Sequence, residues 1–372
     1  MRVVMFYHSL LSDWNHGNAH FLRGIVSELR RSGHEVSVWE PVDSWSRQNL
    51  LAEHGERPIY DFSQAYPGLS SRFYSAASRD PEMALDGADL VLVHEWNEPS
   101  LVADIGRHHI RTGGYTLLFH DTHHRSVTDP GAMSRYDLSG YDGVLAFGES
   151  VADVYGGHGW GRRVWVWHEA ADHRIFRPIP SDKEGDLVWI GNWGDGERSA
   201  ELQEFLIEPV RRLGLKARVH GVRYPETAKQ WLSEAGIDYG GWVPNFEAPR
   251  IFARYRVTVH VPRRPYATAL PGVPTIRIFE ALACGIPLVS APWLDAENLF
   301  TPGEDFLFAS NGTEMRGHLQ ALLKEPQWAF SLAEHGRRTI LARHTCAHRV
   351  QELDGILQTI QSPSTLTVGG RN

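Results

Sequence analysis

Two successive series of short apolar runs alternate with helical segments along this chain. The first series opens with RVVMFY (residues 2–7), and the second opens with DLVWIGNWGDG (residues 186–196). Apolar runs of this length predict buried parallel strands, and the helices between them predict βαβ units. The sequence therefore predicts an α/β protein with two Rossmann-like parallel-sheet domains that face a cleft, where such sheets bind ligands.

The two series also set the expected domain boundaries. We predict an N-terminal domain over residues 1–170, a C-terminal domain over residues 180–345, a closing helix over residues 346–360 and a disordered tail over residues 361–372. The proline-containing, charged stretch GRRVWVWHEAADHRIFRPIPSDKEGD is expected to link the two domains. Residues 43–80 are polar and irregular and receive no element. Two helical segments are expected to close the chain.

Composition excludes several classes of protein. The 37 basic and 45 acidic side chains give a net charge of −8, which disfavours nucleic acid as a partner. The two cysteines, Cys284 and Cys346, do not make a disulfide framework, so a reducing compartment is expected. No apolar run approaches the ~20 residues of a membrane span. We predict a cytoplasmic protein without an integral membrane segment.

The segment TIRIFEALACG combines apolar residues with two charges in its first turns. Thr275 follows a proline and is expected to cap a helix whose free N–H groups favour an anion. Arg277 adds a guanidinium that matches phosphate oxygens, and Glu280 shares its face of the helix. The alternative is an Arg277–Glu280 ion pair on a solvated helix face.

This segment carries a resemblance to a known family. PGVPTIRIFEALACGIPLVSAPWLDAENLFTPGEDFLFAS resembles the C-terminal signature of GT-B fold glycosyltransferases, closest to the spore-maturation CgeB-like group. HGNAHFLRGIVSELRRSGHEVSV and WHEAADHRIFRP resemble the first loop and the segment between the domains of such enzymes. The resemblance implies a GT-B architecture in which the C-terminal helices pack back on the N-terminal domain.

The resemblance also implies roles for individual residues. Glu280 matches the residue that binds the nucleotide ribose, and Arg277 lies with Thr275 where the diphosphate of the donor is held. The other implied nucleotide-binding positions are Gly191, Asn192 and Arg198 in the glycine-rich loop, and Trp242 and Val243 near the base. For the glycine-rich loop the alternative is an ordinary turn, and for Trp242 and Val243 it is loop packing. Gly272 stands where many retaining members carry a further acid.

Candidate catalytic residues lie in the N-terminal half. His120 and Asp121 end the apolar run YTLLFHD and are expected to point into the cleft as the catalytic pair. The loop residues His16, Gly17 and Asn18 are expected near the donor or the acceptor, unless Asn18 merely caps the following helix. HDTHH clusters His120, His123 and His124, whereas HEAADH spaces His168 and His173 five residues apart and so lacks the HExxH zinc motif. No metal site is predicted, because the resemblance implies that arginines and helix N-termini replace the metal.

These features predict a glycosyltransferase that moves a sugar from a nucleotide-diphosphate sugar to an acceptor hydroxyl of a glycan, polysaccharide or small molecule. Retention of configuration and independence of metal ions are expected, with a UDP- or GDP-sugar as donor and no further cofactor. Two alternatives stay open, a nucleotide-sugar epimerase of the same fold and a non-catalytic binding module. The sequence does not identify the sugar, the acceptor or the oligomeric state.

Overall fold

The computed structural model describes residues 1–75 and 82–361 and contains two parallel β-sheets. The N-terminal sheet has seven strands in the order β3-β2-β1-β4-β5-β6-β7. Its strands are β1 (Arg2–Phe6), β2 (Glu35–Pro41), β3 (Ser71–Tyr74), β4 (Leu90–His94), β5 (Thr116–Asp121), β6 (Gly143–Ala146) and β7 (Val164–Val166). Its helices are α1 (Ala19–Arg31), α2 (Trp45–His54), α3 (Arg57–Ala65), α4 (Glu82–Leu85), α5 (Pro99–Thr112), α6 (Arg125–Thr128), α7 (Pro130–Met133) and α8 (Glu149–His158).

The C-terminal sheet has six strands in the order β10-β9-β8-β11-β12-β13. They are β8 (Gly185–Ile190), β9 (Ala217–His220), β10 (Ile237–Tyr239), β11 (Tyr255–His260), β12 (Leu288–Ser290) and β13 (Leu307–Phe308). The helices are α9 (Ser199–Leu202), α10 (Glu208–Leu213), α11 (Glu226–Glu234), α12 (Ala248–Ala253), α13 (Arg264–Thr268), α14 (Ile276–Ala283), α15 (Gly312–Lys324), α16 (Pro326–Arg343) and α17 (Cys346–Gln361). A π-helical turn (Gln203–Ile207) joins α9 to α10, and a 3₁₀ turn (Asn245–Glu247) precedes α12. The predicted α/β class with two parallel sheets is confirmed.

Central strands are buried over their whole length because helices cover both faces of each sheet. All five residues of β4 and all six of β5 are buried. A strand buried on both faces reads as a continuous apolar run, and for this reason these strands were recognisable in the sequence.

Two predictions about the N-terminal half were wrong. Residues 43–80 are not irregular over the part that the structure describes, since they contain α2, α3 and the edge strand β3; residues 76–81 lie outside the described part. Residues 164–166, assigned to the interdomain linker, form β7 and pair with β6. Short edge elements with polar faces lack the periodicity that identifies a buried strand.

The C-terminal helices return to the N-terminal domain, as predicted. Three helices rather than two follow β13, and α17 ends at Gln361; the predicted disordered tail otherwise lies outside the described residues. Helix α17 packs on α1 so closely that a Cβ at Gly24 would lie 2.4 Å from Sγ of Cys346. The indole of Trp167 also donates to the carbonyl of Arg349 at 2.8 Å. Within residues 1–75 and 82–361, no helix is long and apolar enough to cross a membrane.

Candidate active site

A cavity of about 510 Å³ lies between the two sheets, beyond the carboxyl ends of β1, β5, β8 and β11. Loops from both domains line it, as expected for the ligand site of facing parallel sheets. The structure brings eight of the sequence-predicted residues together in its lining: His16, Gly17, Asn18, Gly191, Asn192, Arg198, Thr275 and Arg277.

The glycine-rich loop after β8 is shaped by close contacts. A Cβ at Gly191 would lie 2.6 Å from the ring of Trp189, so a larger residue does not fit there. Gly194 has φ of +89°, and a Cβ on it would lie 3.1 Å from Nε of Arg198. The amide of Asn192 donates to Oδ1 of Asn15 in the N-terminal domain at 2.7 Å. The loop therefore presents its backbone to the cleft and ties the two walls together.

Arg198 is the most informative residue of the cleft. Its side chain is 9% exposed, donates to the carbonyls of Val261 (2.8 Å) and Asn192, and stacks 5.0 Å from the ring centroid of Trp189. Its Nε has no hydrogen-bond partner, and within the described chain no carboxylate pairs with it. Burial, with repulsion from Arg263, lowers the pKa of Arg198 to about 9. A buried cation without a counter-ion is costly, which indicates an anionic ligand.

Further arginines surround this position. Arg263 lines the cleft and contacts Glu197 at 3.4 Å, and Arg223 is paired with Asp195 at 2.8 Å. The sequence analysis missed both Arg263 and Arg223. For Arg263 there was a visible signal, because two adjacent arginines, Arg263 and Arg264, follow shortly after β11. Together with Arg198 and Arg277, they give the C-terminal wall a positive potential suited to a diphosphate.

The N-terminus of α14 opens onto the same cleft. Thr275 occupies the N-cap position with extended backbone, but its hydroxyl does not cap the helix as predicted and instead bonds Nε2 of His260 at 3.0 Å. Gly17 approaches this helix end, since a Cβ on it would lie 3.3 Å from Ile276. Asn18 does not cap α1 either, because its amide donates to the hydroxyl of Thr122 at 2.5 Å.

Glu280 is buried and does not line the cleft, so its contact with a ribose stays a prediction. Its side chain is fully buried, with one oxygen 3.1 Å from Nδ1 of His20 and the other bonded to Arg277. Nε2 of His20 accepts the N–H of Asp172 at 2.8 Å, so Nδ1 carries the proton that Glu280 accepts. Burial alone would raise the pKa of Glu280, but Arg277 and His20 hold it below its ordinary value. Glu280 joins α14 to α1 and orients Arg277.

His120 and Asp121 are also withdrawn from the cleft, against the prediction. His120 is 1% exposed, and its Nδ1 lies 2.5 Å from the hydroxyl of Tyr7. Burial lowers the pKa of His120 to about 3 and raises that of Asp121 to about 6. Asp121 accepts from the hydroxyl of Tyr155 at 2.9 Å and from the backbone of His123 at 3.0 Å. Nε2 of His120 is buried without a hydrogen-bond partner in the described chain, and the catalytic role of the pair stays a prediction.

Trp242 and Val243 do not line the cleft. The indole of Trp242 donates to Oδ1 of Asp13 at 3.2 Å, and its ring packs 4.7 Å from that of His54. Val243 packs against the main apolar core. Their position is that of loop packing across the domain interface, so their predicted contact with a base is not supported.

Imidazoles dominate the N-terminal wall. His8, His16, His123 and His124 line the cleft, and burial lowers the pKa of His8 and His124 to about 4, aided at His124 by Arg263. At neutral pH these rings are uncharged. Among the described residues, no group of three or more His, Cys, Asp or Glu side chains is arranged to hold a metal ion.

Gly272, where the resemblance places a further acid in many members, lies against the side chain of Glu297. A Cβ at Gly272, where φ is +90°, would lie 2.6 Å from Oε1 of Glu297, so this backbone and space exclude a side chain. Glu297 accepts from the backbone of Glu149 at 2.9 Å and lies 2.8 Å from Nε2 of His168.

Glu169, which the sequence analysis missed, lines the cleft, and its buried Oε1 has no hydrogen-bond partner in the described chain. Burial and the nearby Glu280 raise the pKa of Glu169 to about 8.

Comparison with known proteins agrees with this architecture. Residues 198–355 match the glycosyl transferase-like family. This part of the chain is similar to a glycosyltransferase domain. The prediction of a glycosyltransferase is confirmed at that level. No curated protein sequence matches the chain significantly.

Solved structures match the chain over nearly its whole length. Sucrose-phosphate synthase from Thermosynechococcus elongatus matches with TM-score 0.66 and 12% identity, over 97% of this chain and 99% of that one. HepE from Anabaena, solved with UDP and glucose, matches with TM-score 0.66 and 14% identity, over 96% and 100%. T4 phage BGT, solved with its UDP-glucose substrate, matches with TM-score 0.59 and 13% identity, over 97% and 100%. At these identities the matches show the fold, and the predicted GT-B architecture is confirmed.

Proposed function

We propose that this protein transfers a sugar from a UDP-sugar to an acceptor hydroxyl, with the diphosphate bound by Arg198, Arg263 and Arg277. The observation that carries the proposal is the buried Arg198 guanidinium, which lacks a carboxylate partner in the described chain and faces two further arginines. HepE and T4 phage BGT, which share the fold, were solved with UDP or UDP-glucose. In the reaction the acceptor oxygen bonds to the anomeric carbon, the nucleoside diphosphate leaves, and the acceptor proton passes to that phosphate or to solvent.

Retention of configuration and metal independence are part of this proposal. The leaving phosphate removes the acceptor proton in a retaining reaction, which suits a cleft from which His120 and Asp121 are withdrawn. The arginines and the N-terminus of α14 stabilise the leaving diphosphate without a metal ion. One structure of T4 phage BGT holds UDP with Mn²⁺, so the test compares EDTA with added Mn²⁺. Placement in the CgeB-like group and in the cytoplasm stay predictions.

Calorimetry with UDP, GDP and their glucose conjugates tests donor binding, and NMR of the products gives the anomeric configuration. We expect UDP-sugar binding and slow donor hydrolysis in EDTA. A protein that binds no sugar nucleotide contradicts the proposal. An epimerase would convert the donor without an acceptor; this reading is disfavoured because Asp195 and Glu197, two of the cleft acids, are occupied by Arg223 and Arg263. Binding without turnover would indicate a non-catalytic module.

A further inference from the structure

A second cavity, of about 450 Å³, lies in the N-terminal domain beside the cleft. It is enclosed by β1, β2, β3, the start of α2 and the start of α5. Three residues, His8, Trp45 and Trp96, line both this cavity and the cleft, so the two spaces adjoin. The proposed function does not use this second space.

The walls of the second cavity are largely aromatic. Six rings line it: Phe6, Trp39, Trp45, Phe73, Tyr74 and Trp96. Trp45, Phe73 and Trp96 are between 39% and 45% exposed, and Met83 is 79% exposed. Large apolar side chains grouped around one opening mark a binding surface rather than scattered surface residues. Aromatic faces of this kind stack on the apolar face of a sugar ring or another flat ring.

The charge of the lining is acidic. Asp43, Glu98 and Asp104 line the cavity, and its described lining contains no lysine or arginine. Asp104 is paired with Arg107, whereas Asp43 and Glu98 have no cationic partner in the described chain. Four guanidinium groups lie behind the aromatic walls: Arg47, 4.9 Å from the ring of Phe73, Arg125, 4.0 Å from that of Trp96, and Arg72 and Arg223, 5.6 Å from the rings of Trp39 and Trp45 respectively. Arg125 is neutralised by Glu95 and Arg223 by Asp195, and none of the four lines the cavity itself.

A lining of this charge repels phosphates and carboxylates and accepts hydrogen bonds from hydroxyl or ammonium groups. The hydroxyl of Ser44, a lining residue, is buried without a hydrogen-bond partner in the described chain. The position of Asn97 is held by bonds to Tyr74 (2.6 Å) and to the carbonyl of Phe6 (2.8 Å). Asn97 is thus fixed before a ligand binds, and the Ser44 hydroxyl has no competing partner.

We propose that this cavity binds the acceptor, and that the acceptor is a hydroxylated ring compound that is neutral or amine-bearing and carries no phosphate or carboxylate. This rests on the proposed function. The anionic donor and the non-anionic acceptor then occupy adjacent spaces of opposite charge, meeting at His8, Trp45 and Trp96.

A matched set of phenyl glucosides tests the assignment: unsubstituted, 4-aminomethyl and 4-carboxy. Transfer from UDP-glucose is measured by mass spectrometry, and binding without donor by saturation-transfer NMR. We expect the neutral and amino probes to bind and react at least tenfold better than the carboxy probe. The variant pair Asp43→Asn and Glu98→Gln should abolish this preference, while Asp137→Asn, at an exposed acid elsewhere, should retain it. Phe73→Ser should weaken binding of all three probes, whereas the control Asp137→Asn should leave both probe binding and donor hydrolysis unchanged.

Equal or better use of the carboxy probe overturns the proposed acceptor class. Ring binding that is insensitive to Phe73→Ser overturns the location. If no UDP-sugar binds at all, the proposed function fails, but ring binding in the absence of donor still decides whether the cavity takes such a ligand.

Discussion

The two walls of the cleft differ in charge although both are built from loops at the ends of parallel strands. The C-terminal wall carries Arg198, Arg263 and Arg277, and the N-terminal wall carries imidazoles that burial keeps neutral. Beyond the N-terminal wall, the second cavity is aromatic and acidic. The C-terminal wall therefore suits a diphosphate, whereas the acids of the second cavity suit a group without negative charge.

The largest expected effect comes from removing the buried cation of the C-terminal wall. Arg198→Met keeps the stem packed on Trp189 but removes the charge, and it should weaken UDP-sugar binding by about 100-fold. Thermal stability should be unchanged or higher, because the free protein no longer buries an unpaired cation. Calorimetry and melting curves measure both quantities. A variant that binds the donor normally but melts early would make Arg198 a structural residue.

Glu280 should matter mainly for folding, despite its place on the same helix as Arg277. Glu280→Ala leaves His20 and Arg277 without their shared buried acceptor, so the free energy of unfolding should fall by about 3 kcal/mol. Urea unfolding measures this change, and Glu280→Gln, which keeps the shape of the side chain and one of its two acceptor oxygens, should lose less. A stable Glu280→Ala protein with greatly weakened donor binding would restore the ribose contact that the resemblance implies.

Adjacent arginines offer a sharper comparison within the C-terminal wall. Arg263→Gln should weaken the binding of UDP by about tenfold, because Arg263 faces the cleft where the diphosphate is proposed to lie. The binding of uridine, which has no diphosphate, should be unchanged. Arg264→Gln is the matched control, since Arg264 pairs with Glu201 on the surface at 2.9 Å. The two variants are compared by nucleotide titration; equal losses would mean that net charge, rather than position, sets the affinity.

The smallest effect concerns the neutral imidazoles. Burial lowers the pKa of His8, His120 and His124 to between about 3 and 4, so the unfolded chain takes up protons below pH 6.5 that the folded chain refuses. Stability should fall as the pH drops from 6.5 towards 4. Burial raises the pKa of Glu95 and Glu169 from 4.5 to about 8, so the stability that these two carboxyls contribute is lost as the pH rises from about 4.5 through 8. Below pH 6.5 the three imidazoles outweigh the two carboxyls, so urea midpoints should peak at about pH 6 to 7. A midpoint that rises steadily as the pH falls from 6.5 to 4 would contradict the neutral wall.

Much of the fold was predictable because its signals are local. The apolar runs of β1, β4 and β5 and the amphipathic pattern of α1 identify themselves within a few residues. Residues 43–75 failed because their helices bury few side chains, among them Leu50 and Phe62, and so carry weak periodicity. The fold class thus follows from the elements with the strongest sequence patterns, while the short elements at the edge of a sheet are not predicted.

Site residues divide in the same way. Arg198 and Gly191 were identified through the family resemblance, and the glycine-rich loop directly after a buried strand agrees with a place at the carboxyl edge of the sheet. His120 and Asp121 also end a strand, but both faces of β5 are buried, and nothing local tells whether the last side chains turn towards the cleft or the core. Glu280 was misplaced because its partner His20 lies 260 residues away in sequence.

By itself the sequence determined the two parallel sheets, the cleft between them and the arginine-bearing loops at its edge, since these depend on strand order and on residues next to strand ends. Tertiary structure alone decided which charges are solvated, paired or left without a partner. Those outcomes depend on segments that are distant in sequence and meet only in the folded protein. A buried charge without a partner costs much more free energy than a paired one, which distinguishes the unpaired Arg198, proposed to bind a ligand, from the paired Glu280.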